Sequence, residues 1–391
     1  MFVRKVRGKR VAVGLTTLAT VAGLAGLAGA PSAAAGGPSI TVEPWLHGLN
    51  APRGVAFDGA GNFYVAESGV AGAGTQGFTM TGRVSRYQLG STTPVWQSST
   101  SSVYASEDPT QPPDVLGPEG VSAMGNGCTK NSNGNRRGCQ VLVIMSESHA
   151  GTGAPGQTGE LLRFDAKSGA YHSVADVGDQ NYAFTNANKD LFPSDFPDSN
   201  PYGVLVTKGG PGGIRTFVAD AGSNLISEVM PNGTLRNIAY IPNETGGAFR
   251  DATPTCIAQG PDGMLYVGAL DLLSNFAVGG GFSNVWRINP NANYPTAPQL
   301  WATGLTTVSA CTADRSGNLW LTEMFGPTGA PPFGDIVRIP FGNPSQVDRF
   351  GGGQITLPGG IAQGPDGALY VSTFSAAPGP AGQVVRVTVD G

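Results

Sequence analysis

Histidine is nearly missing from this chain of 391 residues; there are three, His47, His149 and His172. No pair stands at a His-x-His or His-Glu-x-x-His spacing, which disfavours a zinc hydrolase. Charge is scarce as well. Asp, Glu, Lys and Arg make up 13% of the residues, about half the usual share. No basic stripe of the kind that tracks nucleic acid is present. Long helical windows are lacking, because 60 Gly and 30 Pro punctuate the sequence. That excludes a helical bundle or a coiled coil. There is no Gly-x-Ser-x-Gly elbow, and the glycine runs at 279–281 and 351–353 lack the Lys-Ser/Thr start of a phosphate loop. What remains is apolar enough to fold. Hydrophobic residues make up 40% of the chain and aromatic or β-branched ones recur throughout, which argues against disorder.

The one long apolar run lies at the N-terminus. Residues 1–10 carry Arg4, Lys5, Arg7, Lys9 and Arg10 with no acid, an apolar run spans 11–30, and Ala33-Ala34-Ala35 follows. These are the three regions of a secretory signal peptide in order. Residues 1–35 are therefore expected to be removed on export to the extracellular or cell-envelope space, leaving one domain over 36–391. A retained membrane anchor is the alternative; no later segment approaches spanning length. Without the leader, 18 basic residues face 27 acidic ones, a net charge of −9. Four cysteines in an exported chain lead to an expectation of two disulfides.

Internal repetition is the strongest signal. Six copies begin at Pro52-Arg53-Gly54, Pro118-Glu119-Gly120, Pro201-Tyr202-Gly203, Pro254, Val308 and Pro358-Gly359-Gly360. Each entry leads into a short apolar strand. A turn built on Asp and Gly follows in four of them, such as Gly260-Pro261-Asp262-Gly263 and Gly364-Pro365-Asp366-Gly367; Pro presets φ and Gly supplies φ > 0 there. A second strand (Phe63-Tyr64-Val65, Leu265-Tyr266-Val267, Leu319-Trp320-Leu321, Leu369-Tyr370-Val371) is rich in β-formers. A third strand comes after a variable loop and places Arg beside an apolar pair in five of the six copies. A fourth closes the unit, as at 93–96 and 299–302. Four short antiparallel strands repeated six times predict an all-β fold, a six-bladed β-propeller. The chain ends on a third strand, 383–389, and starts on an orphan strand, 40–45. Their pairing is expected to close the ring and remove the exposed sheet edges. Insertions over 98–200 stretch blades 2 and 3.

The stretch Phe217-Val218-Ala219-Asp220-Ala221-Gly222-Ser223-Asn224 resembles an NHL repeat. More broadly, 40–391 resembles the ScyD/ScyE family of exported bacterial propellers. The likeness is carried by Leu49-Asn50-Ala51-Pro52-Arg53-Gly54, Asp198-Ser199-Asn200-Pro201-Tyr202, 218–224 and Gly364-Pro365-Asp366-Gly367-Ala368-Leu369-Tyr370-Val371. The resemblance implies an NHL-like propeller and carries over no catalytic residues.

In such a ring the loops entering first strands share a face with those joining second to third strands. The latter are long here (68–81, 148–158, 270–282, 324–333, 374–381), and long loops on a rigid scaffold are where function usually sits. Acids recur where second strands end: Glu67, Glu147, Asp220 and Glu323. Entry loops add Arg53, Glu119 and Tyr202, and a long loop adds His149. Two readings follow. The carboxylates could ring the channel mouth and hold Ca²⁺ through hard oxygen ligands, as a metal-assisted hydrolase or lactonase of the gluconolactonase type would need. Alternatively, each acid accepts backbone N–H bonds within its own loop, and the protein is a monomeric recognition or scaffold module for a protein, glycan or small molecule. Too few histidines are present for a quinoprotein-like sugar dehydrogenase. The spacing predicts one disulfide, Cys128–Cys139, across the tip of the inserted blade-2 hairpin. It predicts a second, Cys256–Cys311, because aligning Gly263 with Gly317 offsets the two cysteines by one residue, so their side chains point toward each other from neighbouring first strands.

Overall fold

A computed structural model describes residues 39–70, 77–105, 114–124, 140–153, 156–191, 197–208, 213–243, 250–272, 274–275, 279–328, 332–377 and 379–390. The leader and the pair Cys128–Cys139 lie outside the described residues. Among the described ones no helix is long and apolar enough to cross a membrane.

Six antiparallel sheets stand in a ring: the chain is a six-bladed β-propeller. Blade 1 comprises Pro52–Phe57, Asn62–Glu67, Gly77–Gln88 and Trp96–Ala105, with a fifth strand, Asp114–Leu116, on its outer edge. Blade 2 comprises Pro118–Met124, Gln140–Met145, Glu160–Phe164 and Tyr171–Asp176. Blade 3 is Pro201–Lys208, Ile214–Asp220, Leu225–Val229 and Leu235–Tyr240. Blade 4 is Pro254–Gln259, Leu265–Ala269, Ser283–Ile288 and Gln299–Leu305. Blade 5 is Val308–Ala313, Asn318–Glu323, Phe333–Pro340 and Asp348–Thr356. Blade 6 has Ile361–Gln363, Leu369–Thr373 and Gly382–Asp390, and takes its fourth strand, Ser39–Leu49, from the other end of the chain.

That closure is the pairing expected of 40–45 with 383–389; in register, Ile40 pairs with Val389, Val42 with Val387 and His47 with Gln383. Two features are additions that the repeat did not announce. One is the fifth strand of blade 1. The other is the helix Val177–Ala187 between blades 2 and 3, capped by Asp176, whose side chain accepts from the Asp179 N–H.

First strands meet around the axis with almost no space between backbones. A Cβ on Gly54 would lie 2.5 Å from the Glu119 carbonyl oxygen, and one on Gly360 would lie 2.5 Å from that of Arg53. Only glycine allows this approach. Blade 4 carries Cys256 at the corresponding position. There the seam to blade 5 is covalent: Cys256 and Cys311 form a disulfide with Cα atoms 5.6 Å apart. Replacing both cysteines by serine should lower unfolding stability by about 2–4 kcal/mol, measured by denaturant titration. An unchanged midpoint would show that the link adds nothing.

The Asp of each tight turn holds the blade's second strand. Asp58, Asp262 and Asp366 accept from the hydroxyls of Tyr64, Tyr266 and Tyr370 at 3.0–3.1 Å, and Asp314 accepts from Trp320 Nε1 at 2.7 Å. The recurring third-strand arginines reach the same turns or the adjacent outer strands: Arg287 pairs with Asp262, Arg386 with Asp366 and Arg338 with Asp348.

Candidate functional site on the long-loop face

Entry into blades 1–5 runs through a backbone bulge. The pairing register slips between Pro52 and Val55, Pro118 and Val121, Pro201 and Gly203, Pro254 and Cys256, and Val308 and Ala310. In four blades the residue just before the entry is left-handed without being glycine: Ala51, Thr253, Thr307 and Leu357, at φ 44–49°. Such a conformation costs on the order of 1–3 kcal/mol and persists only where surroundings over-determine it. Here the carbonyls of these residues accept from the N–H groups of Ser68, Leu270, Met324 and Ser375 at the far ends of the second strands.

The acids at those strand ends complete the clamp. Glu67 accepts from the Asn50 N–H at 2.7 Å and pairs with Arg83. Glu323 accepts from the Thr306 N–H at 2.7 Å and pairs with Arg349 at 2.9 Å. Asp220 accepts from the N–H groups of Asn200, Gly222 and Ser223 and from the side chains of Asn181 and Ser199. All three are fully buried. A fourth, Asp271, does the same for blade 4, accepting from the Asp251 N–H at 3.2 Å and pairing with Arg250 at 2.8 Å. Sequence reading passed over Asp271 because it lies two residues beyond its strand; its only signal was an acid facing the loop that enters its own blade.

Glu147 and His149 stand apart from this pattern. Glu147 is left-handed at φ 63° and its N–H donates to Asn200 Oδ1 at 3.0 Å. His149 is exposed and opens the short helix His149–Thr152. Burial pushes the neighbouring Asp176 carboxyl up, and His149 opposes that shift.

Three of the residues singled out by sequence do converge. The second residue of the entry triplet in blades 1, 2 and 3 is Arg53, Glu119 and Tyr202, and these are only 8%, 1% and 6% exposed. Arg53 Nη1 donates to Glu119 Oε2 at 3.1 Å, and Arg53 Nε donates to the Ser375 carbonyl of blade 6 at 3.0 Å. One guanidinium thus ties blade 6, blade 1 and blade 2 together. Burial pushes the Tyr202 hydroxyl up to about 12, against the favourable influence of Arg53 beside it. Blades 4–6 bring apolar side chains instead. Leu270, Leu272, Met324, Phe325 and Leu357 form one buried cluster shared by these blades, with Ala376 and Ala377 packed against it. Among the described residues no three His, Cys, Asp or Glu side chains lie together as a metal-ligating group.

The clamp predicts a pH signature. Burial holds Glu67, Asp271 and Glu323 above the ordinary carboxylate range, despite their arginines. Each binds its proton more tightly folded than unfolded. Stability from these groups therefore declines as pH rises from the ordinary range through the raised one. The turn acids behave oppositely. Burial pushes Asp366 up, but bonds from Arg386, Tyr370 and the Ala368 N–H outweigh it and leave the carboxyl low; the same balance holds at Asp262 and Asp314. Their stabilisation is lost as pH falls from the ordinary carboxylate range through the lowered one. Melting temperature against pH should show Glu323→Gln flattening the decline toward neutrality and Asp366→Asn weakening the acid limb. Parallel curves for wild type and both variants would refute this division.

Among solved structures, the chain is similar to the PQQ-bound aldose sugar dehydrogenase of Streptomyces coelicolor, with 13% identity over 92% of this chain and 100% of that one and a TM-score of 0.51. A protein of unknown function from Bacteroides thetaiotaomicron matches at 10% identity over 90% and 77%, with a TM-score of 0.52. Virginiamycin B lyase from Staphylococcus aureus matches at 14% identity over 90% and 99%, with a TM-score of 0.43. These are likenesses of fold. No family model and no curated protein matches the sequence.

Proposed function

We propose that this protein is an exported recognition or scaffold module, a monomeric propeller of the ScyD/ScyE kind that binds a ligand rather than transforming one. The observation that supports this is the employment of the acids. Glu67, Asp220, Asp271 and Glu323 are each engaged by the N–H of the loop entering their own blade, and three of the four by an arginine as well. Glu119 is engaged by Arg53. A carboxylate so engaged is a poor ligand for Ca²⁺, which takes six to eight oxygens, and a poor general base. The set does not fit a Ca²⁺-assisted lactonase.

The test is hydrolysis of a panel of sugar and aryl lactones, with Ca²⁺ or with chelator, alongside melting curves under both conditions. No turnover above blank and no Ca²⁺-dependent shift in melting are expected. Turnover that disappears in a combined Glu67→Gln, Glu119→Gln, Glu323→Gln protein would replace this reading with the lactonase one.

A further inference from the structure

The opposite face of the ring carries two copies of one side-chain constellation. In blade 4, Tyr266 donates to Asp262 Oδ2 at 3.0 Å, Arg287 Nε donates to the same oxygen at 3.0 Å, and Arg287 Nη1 donates to Gln299 Oε1 at 3.0 Å. The Tyr266 ring meets Trp301 edge-on, with centroids 4.7 Å apart at 75°. In blade 6, Tyr370 donates to Asp366 Oδ2 at 3.1 Å, Arg386 Nε donates to that oxygen at 2.9 Å, and Arg386 Nη1 donates to Glu43 Oε2 at 2.9 Å. The Tyr370 ring meets Trp45 edge-on, at 5.1 Å and 72°. In each case the acceptor and the tryptophan are two residues apart on the outer strand.

Blade 5 shows what the same positions look like when they satisfy themselves. There Arg338 turns its guanidinium over the Trp320 and Phe350 rings, 5.8 and 5.5 Å from their centroids, and Phe350 is buried. Among the described residues no cation covers Trp45 or Trp301, and both stay partly exposed. The polar groups beside them face solvent: Asp262 is 36% exposed, Arg287 and Arg386 32%. Trp45 packs on one side against Phe63 and Tyr87 and Trp301 against Phe341, so each indole is only partly exposed. Ion pairs as open as these contribute about 0–1 kcal/mol, so stability alone is a weak reason for keeping them beside a partly exposed tryptophan.

We propose that the Trp301 and Trp45 constellations are a pair of binding sites for a neutral saccharide. A hydroxyl both donates to a carboxylate and accepts from a guanidinium, so vicinal hydroxyls suit a fixed Asp–Arg pair. The C–H face of a sugar ring packs on an indole. The charge at each site, zero in blade 4 and −1 in blade 6, disfavours anions. The inference rests on the recognition reading above and names its ligand class and its place, the turn face.

The experiment is calorimetry and tryptophan fluorescence with neutral glucan, mannan, galactan and chitin oligosaccharides on the full mature chain. One series should bind at two sites per chain. Trp301→Leu should reduce that to one, and Asp262→Asn, a near-isosteric change whose retained fold is checked by its melting curve, should weaken the blade-4 site about tenfold or more. If none of these sugars binds, or if both variants keep two sites at unchanged affinity, the saccharide sites do not exist. Sugar binding lost only on altering the long loops would overturn this placement and leave the recognition reading intact. Lactone turnover would overturn the recognition reading itself.

Discussion

Deleting residues 39–49 should abolish cooperative unfolding. Those residues form the outer strand of blade 6, paired along the whole length of Gly382–Asp390. Leu46 and Leu49 are 2% and 3% exposed within the cluster of Val55, Phe63, Val65 and Tyr370, and Trp45 packs against the same group. Each fully buried apolar side chain contributes about 1.5–3 kcal/mol, so the strand carries a large part of the 5–15 kcal/mol typical of a whole domain. Its loss also exposes the edge of Gly382–Asp390, an invitation to aggregate. Calorimetry of the shortened chain should show a broad or missing transition and soluble oligomers. A sharp transition at the wild-type temperature would mean that the ring is held elsewhere.

Glu119→Gln and Arg53→Met should each lower stability by about 3–5 kcal/mol, because removing one partner leaves a buried charge uncompensated. The effect should exceed that of neutralising Asp366, whose partner is open to water. The double replacement should cost less than the two single ones added together, since neither charge is then left buried without the other. Denaturant titrations of the four proteins decide this. Additive losses would show that Arg53 and Glu119 act independently and that the pair is not what ties blades 6, 1 and 2. Hydrogen exchange offers a second view of the same residues. Because Arg53 also holds the Ser375 carbonyl, its replacement should loosen the loop after blade 6's second strand. Faster hydrogen exchange at 374–377 would report that.

Much of the fold was legible in the sequence because each blade is a local unit. Alternating strand residues, the Pro-Asp-Gly turns and the Pro-x-Gly entries all specify structure within a few residues. The closing strand was legible by subtraction: a chain beginning on an unpaired strand and ending one strand short has a single way to bury both edges. The Cys256–Cys311 link followed from register, since an offset of one residue between neighbouring first strands turns the two side chains toward each other.

What the sequence left open was the employment of each charge. From spacing alone, Glu67, Asp220 and Glu323 could ring a cation or clamp their own loops; both arrangements use the same residues at the same repeat positions. The bulged entries bring the N–H groups of Asn50, Asn200 and Thr306 within 2.7–2.8 Å of those carboxylates, so each clamps the loop entering its own blade. The gathering of Arg53, Glu119 and Tyr202 is likewise tertiary, because it depends on the angle at which three blades meet over glycine contacts. So is the difference between blade 5 and blades 4 and 6. All carry an acid, an arginine and aromatic residues at matching positions. Whether the arginine lies over the rings or leaves a tryptophan partly open is set by packing across the blade seam, which no single repeat encodes.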